Sequence, residues 1–188
     1  MRTSLVGVVA VLCVAGTASA DVYRTKLRGT GVIATYTADD GCIATEGELL
    51  VVGTSEGAFA HVLATRTDWC AEGGPASSFY EGGAAVTLAG NGTQAAALTG
   101  SVELRAYSGP EDGGFVTVDL ALSFTGTGSV TTDTSTFASG GHGVTLDYSS
   151  TRQRAARASG SLTIDGDAGS VANAQLLAGV AGSLVVVP

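Results

Sequence analysis

Between Val116 and Phe124 every second residue is apolar: Val116, Val118, Leu120, Leu122 and Phe124 alternate with Thr117, Asp119, Ala121 and Ser123. Side chains two apart share a face of an extended strand, so this run buries one face and wets the other. A helix would bring Asp119 round among the apolar residues. The same period recurs where Leu98, Val102, Leu104 and Ala106 alternate with Thr99, Ser101, Glu103 and Arg105. It recurs again at Val144, Leu146 and Tyr148, and at Leu162 and Ile164. The run Phe59 to Thr65 is apolar on both faces, which suits a central strand. Further strands are expected over 22–37, 43–54 and 183–187.

Turn chemistry separates these runs. Asp40-Gly41, Glu56-Gly57, Asn91-Gly92, Gly109 to Gly114 and Asp165-Gly166 all suit tight connections. Asn91-Gly92 predicts a two-residue hairpin with positive φ at both positions. The polar stretch 129–143 reads as a long, mobile loop. Ser170 can cap a short helix through Val171, Ala174 and Leu177 that ends at Gly179. The chain is therefore expected to be all-β, an antiparallel sandwich or closed barrel of about 8–10 strands, with at most one short helix near 170–178. A membrane barrel would need aromatic girdles. With five Tyr, five Phe and one Trp, and a last strand ending Val-Val-Val-Pro, the ordinary barrel or sandwich is preferred.

The first twenty residues read as a secretory signal: Arg2, an apolar run from Leu5 to Ala15, then Ala18, Ser19 and Ala20 for cleavage. The run is shorter than the roughly twenty apolar residues that span a bilayer. Residues 1–20 are thus expected to be removed, leaving one domain over 21–188 in the periplasm or outside the cell. An uncut membrane anchor is the alternative. At the other end, Leu176 to Val187 reads as a final strand in preference to a removed anchor signal. The formal net charge is −8 and Lys26 is the only lysine. That balance excludes nucleic acid as a partner and disfavours anionic lipid surfaces. Cys42 and Cys70 remain beyond the signal segment and predict one disulfide in an oxidising compartment, with two separate buried thiols as the alternative.

Several short motifs match functional patterns but suit ordinary structural roles better. Gly53-Thr54-Ser55-Glu56-Gly57 matches the nucleophile elbow literally, but a strand rather than a helix follows it, so Ser55 is expected to tip a hairpin. His61 shares a strand face with Phe59 and Leu63 and reads as a partly buried, satisfied histidine. His142 lies in a glycine-rich segment, and a metal site joining the two is disfavoured. Gly140-Gly141-His142-Gly143 resembles one copy of a calcium-binding repeat, without the aspartate such a repeat needs. Asp39-Asp40 and Asp165-Gly166-Asp167 carry carboxylates that suit calcium or simple turns. Asn91-Gly92-Thr93 matches a glycosylation acceptor, but the turn reading takes precedence. Glu46 and Glu48 share a strand face, which by itself makes no cleft for glycoside hydrolysis.

Two clusters remain as candidate ligand contacts. Arg152 and Arg154 project from one strand face and, with Arg157, form the basic cluster; they suit an anionic ligand, surface ion pairs with Asp119, Asp147 or Glu103, or protection of a sheet edge. Trp69, Tyr80 and Tyr107, with Phe79 and Tyr148, suit a carbohydrate platform, although Trp69 can equally pack over the disulfide.

Several phrases together carry a family resemblance: Asp40-Gly41-Cys42, Asp68-Trp69-Cys70, Val118 to Phe124 running into Thr125-Gly126-Thr127-Gly128, Ser149 to Gly160 with Arg154, and Ala174, Leu176, Val180, Gly182 and Ser183 near the end. The chain resembles a group of small secreted bacterial proteins of unknown function. That resemblance implies export and a β-rich fold and brings no catalytic residues. The reading that results is a secreted, non-catalytic binding or structural β-domain that needs no cofactor, with an extracellular protein or carbohydrate as partner. The alternatives are a small hydrolase using Ser55 or a histidine–carboxylate pair, and a carbohydrate-binding module using exposed aromatics.

Overall fold

The computed structural model describes residues 21–108, 111–140 and 144–187. The expected signal segment and His142 lie outside the described residues. The strands are β1 (Asp21–Asp39), β2 (Ile43–Thr54), β3 (Gly57–Asp68), β4 (Ala76–Gly90), β5 (Ala95–Ser108), β6 (Glu111–Gly126), β7 (Thr131–Gly140), β8 (Val144–Ile164), β9 (Asp167–Ala168) and β10 (Ser170–Val187). All pair antiparallel. The ring β1-β2-β3-β4-β5-β6-β8-β10 closes on itself through β10 and β1, giving an eight-stranded up-and-down barrel with β7 and β9 as additions. Closure leaves the ring without a free edge at its waist.

Inward positions are the apolar half of each alternation. Val32, Ala34, Leu49, Val51, Val62, Leu98, Val102, Leu104, Val118, Leu120, Leu122, Phe124, Leu162, Ile164 and Leu176 are at most 2% exposed and pack across the barrel. Phe124 sits in the same core as small residues such as Ala34, Ala60 and Ala64, and large beside small fills a narrow barrel. Glu103, Asp119 and Arg157 stand on the outside of the wall. The apolar interior differs from that of a membrane barrel, which is polar.

Two expectations are corrected. The proposed helix near 170–178 is strand: β10 pairs Val171 with Tyr36 and Leu176 with Val32 on one side, and Leu176 with Arg154 on the other. A two-turn helix has little intrinsic stability, whereas the extended form satisfies the edges of both β1 and β8. Asn173, at φ +46°, lies where the β1–β10 register shifts and absorbs the irregularity. The stretch 129–143 is not simply a loop: Thr131–Gly140 is β7, paired with β8 from Gln153 to Val144. Its abundant Thr and Ser suit an exposed strand, and polarity alone does not distinguish such a strand from a loop.

β7 continues the line of β6 along one edge of β8. β8, β10 and β1 all run past the barrel rim in the same direction. Residues 131–140, 144–153, 177–187 and 21–28 therefore form a sheet extension, here called the wing, in the order β7-β8-β10-β1. Pairing of β1 with β2 begins only at Gly29↔Thr54, so the first part of β1 is one edge of the wing and β7 is the other.

Candidate binding surfaces

Apolar alternation ends at the rim beside the β1–β2 turn, where polar side chains take inward positions. Thr45 is fully buried there, Arg66 and Tyr80 stand on neighbouring strands, and the Asp165-Gly166 turn with β9 folds over them. Asp167 Oδ2 accepts from Thr45 Oγ1 at 2.7 Å and from Arg66 Nε at 2.9 Å. The Tyr36 hydroxyl donates to the Asp167 carbonyl, and Tyr80 donates to Asp165 Oδ2 at 2.9 Å. Burial, helped by the neighbouring Asp165 carboxylate, pushes the Tyr80 hydroxyl up to about 12. Burial and then the Asp167 charge raise Tyr36 likewise. This mouth is a closed latch. The Asp165 and Asp167 carboxylates both accept hydrogen bonds from protein side chains.

The disulfide Cys42–Cys70 ties the β1–β2 turn to the β3–β4 loop beside the latch, with Cα atoms 5.3 Å apart. Each cysteine is presented the same way: Asp40 Oδ1 accepts from the Cys42 N–H at 2.9 Å, and Asp68 Oδ1 accepts from the Cys70 N–H at 2.9 Å. The N–H groups of Ile43 and Cys42 hold the Asp40 carboxyl below its ordinary range. Asp39 is engaged too, by the Gly41 N–H at 2.7 Å.

At the opposite mouth the Asn91–Gln94 turn folds across the rim. The Gln94 N–H donates to the Asn91 carbonyl and the Asn91 N–H to that of Ala95, only Gly92 of the turn has positive φ, and the connection between Gly90 and Ala95 is longer than the two residues expected. Arg154 Nε donates to the Gly128 carbonyl at 3.0 Å, pinning the β6–β7 linker over the same opening.

With the interior filled, grooves lie outside. One of about 480 Å³ runs over β1, β2, β3 and β4, between Thr35, Thr37, Glu46, Glu48, Leu63 and Phe79. Cross-strand register sets Glu46 beside Thr37 and Thr65, and Phe79 beside Tyr107. The Phe79 and Tyr107 rings are 6.1 Å apart at 36°, 40% and 38% exposed, with the Arg105 guanidinium 5.2 Å from the Tyr107 ring centre. Another groove of about 620 Å³ opens where β6 parts from β8 above Leu120, beside Phe115 and Asp119.

The structure divides the sequence candidates. Tyr107 faces outward with Phe79, whereas Tyr80 is 3% exposed and faces the latch, so the predicted platform does not assemble as one row. Trp69 is 59% exposed in the loop beside Cys70. Arg152 and Arg154 do share a face, on the barrel side of the wing. Their proposed ion pairs with Asp119, Asp147 and Glu103 do not form among the described residues; those acids lie on the opposite face of the sheet. Ser55 sits in the turn of the β2–β3 hairpin, and His61 lies four residues up β3 from Gly57, ~13 Å along the strand. His61 is half-buried on the outer face with Phe59 and Leu63, as its spacing suggests, and its Nε2 lies 3.4 Å from Glu81 Oε1. Glu46 and Glu48 are neighbours along one strand, not opposing walls of a cleft. Among the described residues no group of three His, Cys, Asp or Glu is placed to hold a metal ion. The Arg66–Asp167 pair was missed by sequence reading. Its signal was the run of polar residues at inward positions, Thr45 and Arg66, at one end of otherwise apolar alternations. No family model, curated protein or solved structure matches the chain.

Proposed function

We propose that this chain is an exported, non-catalytic binding domain that meets its partner on the outside of the barrel. The observation carrying this reading is the filled interior, closed at one mouth by the Asp167 latch and covered at the other by the Asn91 turn and Arg154. Barrels that hold small ligands keep an open cavity, so contact falls to outer faces and rims. Export is supported by the disulfide, which persists in oxidising compartments. The signal-like sequence of residues 1–20 and the resemblance to secreted bacterial proteins support it as well.

The outer groove favours a carbohydrate among such partners. Phe79 offers a ring for stacking, and Glu46, Glu48, Thr35 and Thr37 offer hydrogen-bonding groups beside it. Calorimetric titration of residues 21–188 with neutral oligosaccharides is expected to give saturable binding that F79A removes while the melting temperature holds. Saturable binding unchanged in F79A and Y107A would take the sugar away from this groove. Labelling of Ser55 by a fluorophosphonate, or turnover of an ester, would replace the binding reading with the hydrolase.

A further inference from the structure

Although the whole chain is acidic, four of its basic residues gather on one surface. Register places Arg154 opposite Leu176, whose side chain points into the barrel. The face of the wing continuous with the barrel interior is therefore the face of Arg154. Continuing outward along the same face, Arg152 pairs with Ala178, Ser150 with Val180 and Tyr148 with Gly182 on β10. β10 in turn pairs Val180 with Arg28 and Gly182 with Lys26 on β1. On the far side, β7 sets Thr132 opposite Arg152, Thr134 opposite Ser150 and Thr136 opposite Tyr148. Lys26, Arg28, Arg152 and Arg154 thus project from one face. Asp133 and Asp147, the acids of the adjoining strands, project from the other. Lys26, Arg28 and Arg152 are exposed.

We infer that this face of the wing binds an acidic polysaccharide. Between the two basic rows lies a floor of Ala178, Val180 and Gly182, low enough for a chain to rest on. Two strand spacings separate β1 from β8, ~10 Å, which places cations on both sides of a polymer laid across the floor. Tyr148 and the hydroxyls of Ser150, Thr132, Thr134 and Thr136 give such a polymer ring and hydroxyl contacts as well as charge. A planar anionic membrane fits less well. The Asn91–Gln94 turn overhangs the base of the face, where a β-carbon on Gly92 would lie 3.7 Å from that of Ala178. A flat surface would also meet the acidic remainder of a chain of net charge −8. This site is separate from the Phe79 groove, and it rests on the binding-domain reading while adding a second, anionic ligand class to it.

The test uses residues 21–188 with polygalacturonate and dextran sulfate as probes, neutral dextran as a control, and vesicles of phosphatidylglycerol. Both polyanions, or polygalacturonate alone, are expected to bind at low salt and to weaken steeply as salt rises, while neutral dextran and the vesicles do not bind. K26S/R28S and R152S carry the argument, because these side chains are exposed and fold without one another. The double variant is expected to bind about ten-fold more weakly, the loss of two exposed charge contacts. R157S removes one charge, as R152S does, but from the opposite face of β8, and is expected to bind as the parent does. Equal loss in R157S and R152S, or binding that ignores K26S/R28S, overturns the site. Vesicle binding lost in K26S/R28S would overturn the polysaccharide in favour of a lipid surface. Failure of every anionic probe overturns this inference alone, since the Phe79 groove is tested by neutral sugars.

Discussion

Asp167 is the residue on which one barrel mouth depends. Its carboxylate satisfies a fully buried threonine hydroxyl and a partly buried guanidinium at once. Removing one partner of such a set leaves the others desolvated and unpaired, which costs more than the pair itself contributes. Asp167→Ala is therefore expected to lose about 2–4 kcal/mol in urea unfolding, and Asp167→Asn, which keeps an acceptor for Thr45, less. Tyr80 makes the mouth sensitive to alkali. Its folded value lies near 12 against an ordinary 10.0, so the folded state favours the neutral hydroxyl. That contribution is complete below pH 10 and is lost as pH rises through the folded value. Thermal melts are expected to fall between pH 10 and 12, with a shallower fall in Tyr80→Phe.

At the scale of the element, β8 has the most demanding path. It pairs with β6 near the latch, then with β7 in the wing, and with β10 along the other edge. Gly160 makes the first of these pairings possible. It holds φ at +117°, and a β-carbon there would come within 2.0 Å of the Ala121 carbonyl. Both the conformation and the contact exclude a side chain. Gly160→Ala is expected to cost about 2–3 kcal/mol or more. Gly114→Ala, where nothing lies within 4 Å of the added carbon, should change stability little. Equal effects in chemical denaturation would show that the β6–β8 seam does not require the close approach. β10 shows the limit of local reading: its helix signals are real but weak, and two neighbouring strand edges outweigh them.

For the whole molecule, closure joins the ends of the described chain, pairing Asp21 with Val187. Such pairing requires closing a very long loop before it gives stability, so folding is expected on the millisecond-to-second scale or slower. The disulfide shortens a different path, linking residues 28 apart, and constrains the unfolded chain by about 3–4 kcal/mol. C42S/C70S is expected to lower unfolding stability by about that amount while leaving the circular dichroism of a β protein unchanged. Loss of the fold altogether would mean that the bridge sets the β1–β2 and β3–β4 connections rather than only restraining them.

Period-two alternation was enough to determine the all-β class and most of the core, because inward or outward direction along a strand is a local property, but it did not reveal β4, β7 or the first half of β10. Val118, Leu120, Leu122 and Phe124 are buried as their spacing requires. The cysteine pair was legible for a similar reason, with only two cysteines among residues 21–188. Barrel rather than sandwich, the wing, and the latch were decided by tertiary pairing, since no local pattern says which strand lies beside which or in what register. The clearest case is the basic face. Spacing alone sets Arg152 and Arg154 on one side of β8, but Lys26 and Arg28 join them only because β10 lies between β1 and β8 and brings the two strands onto one sheet.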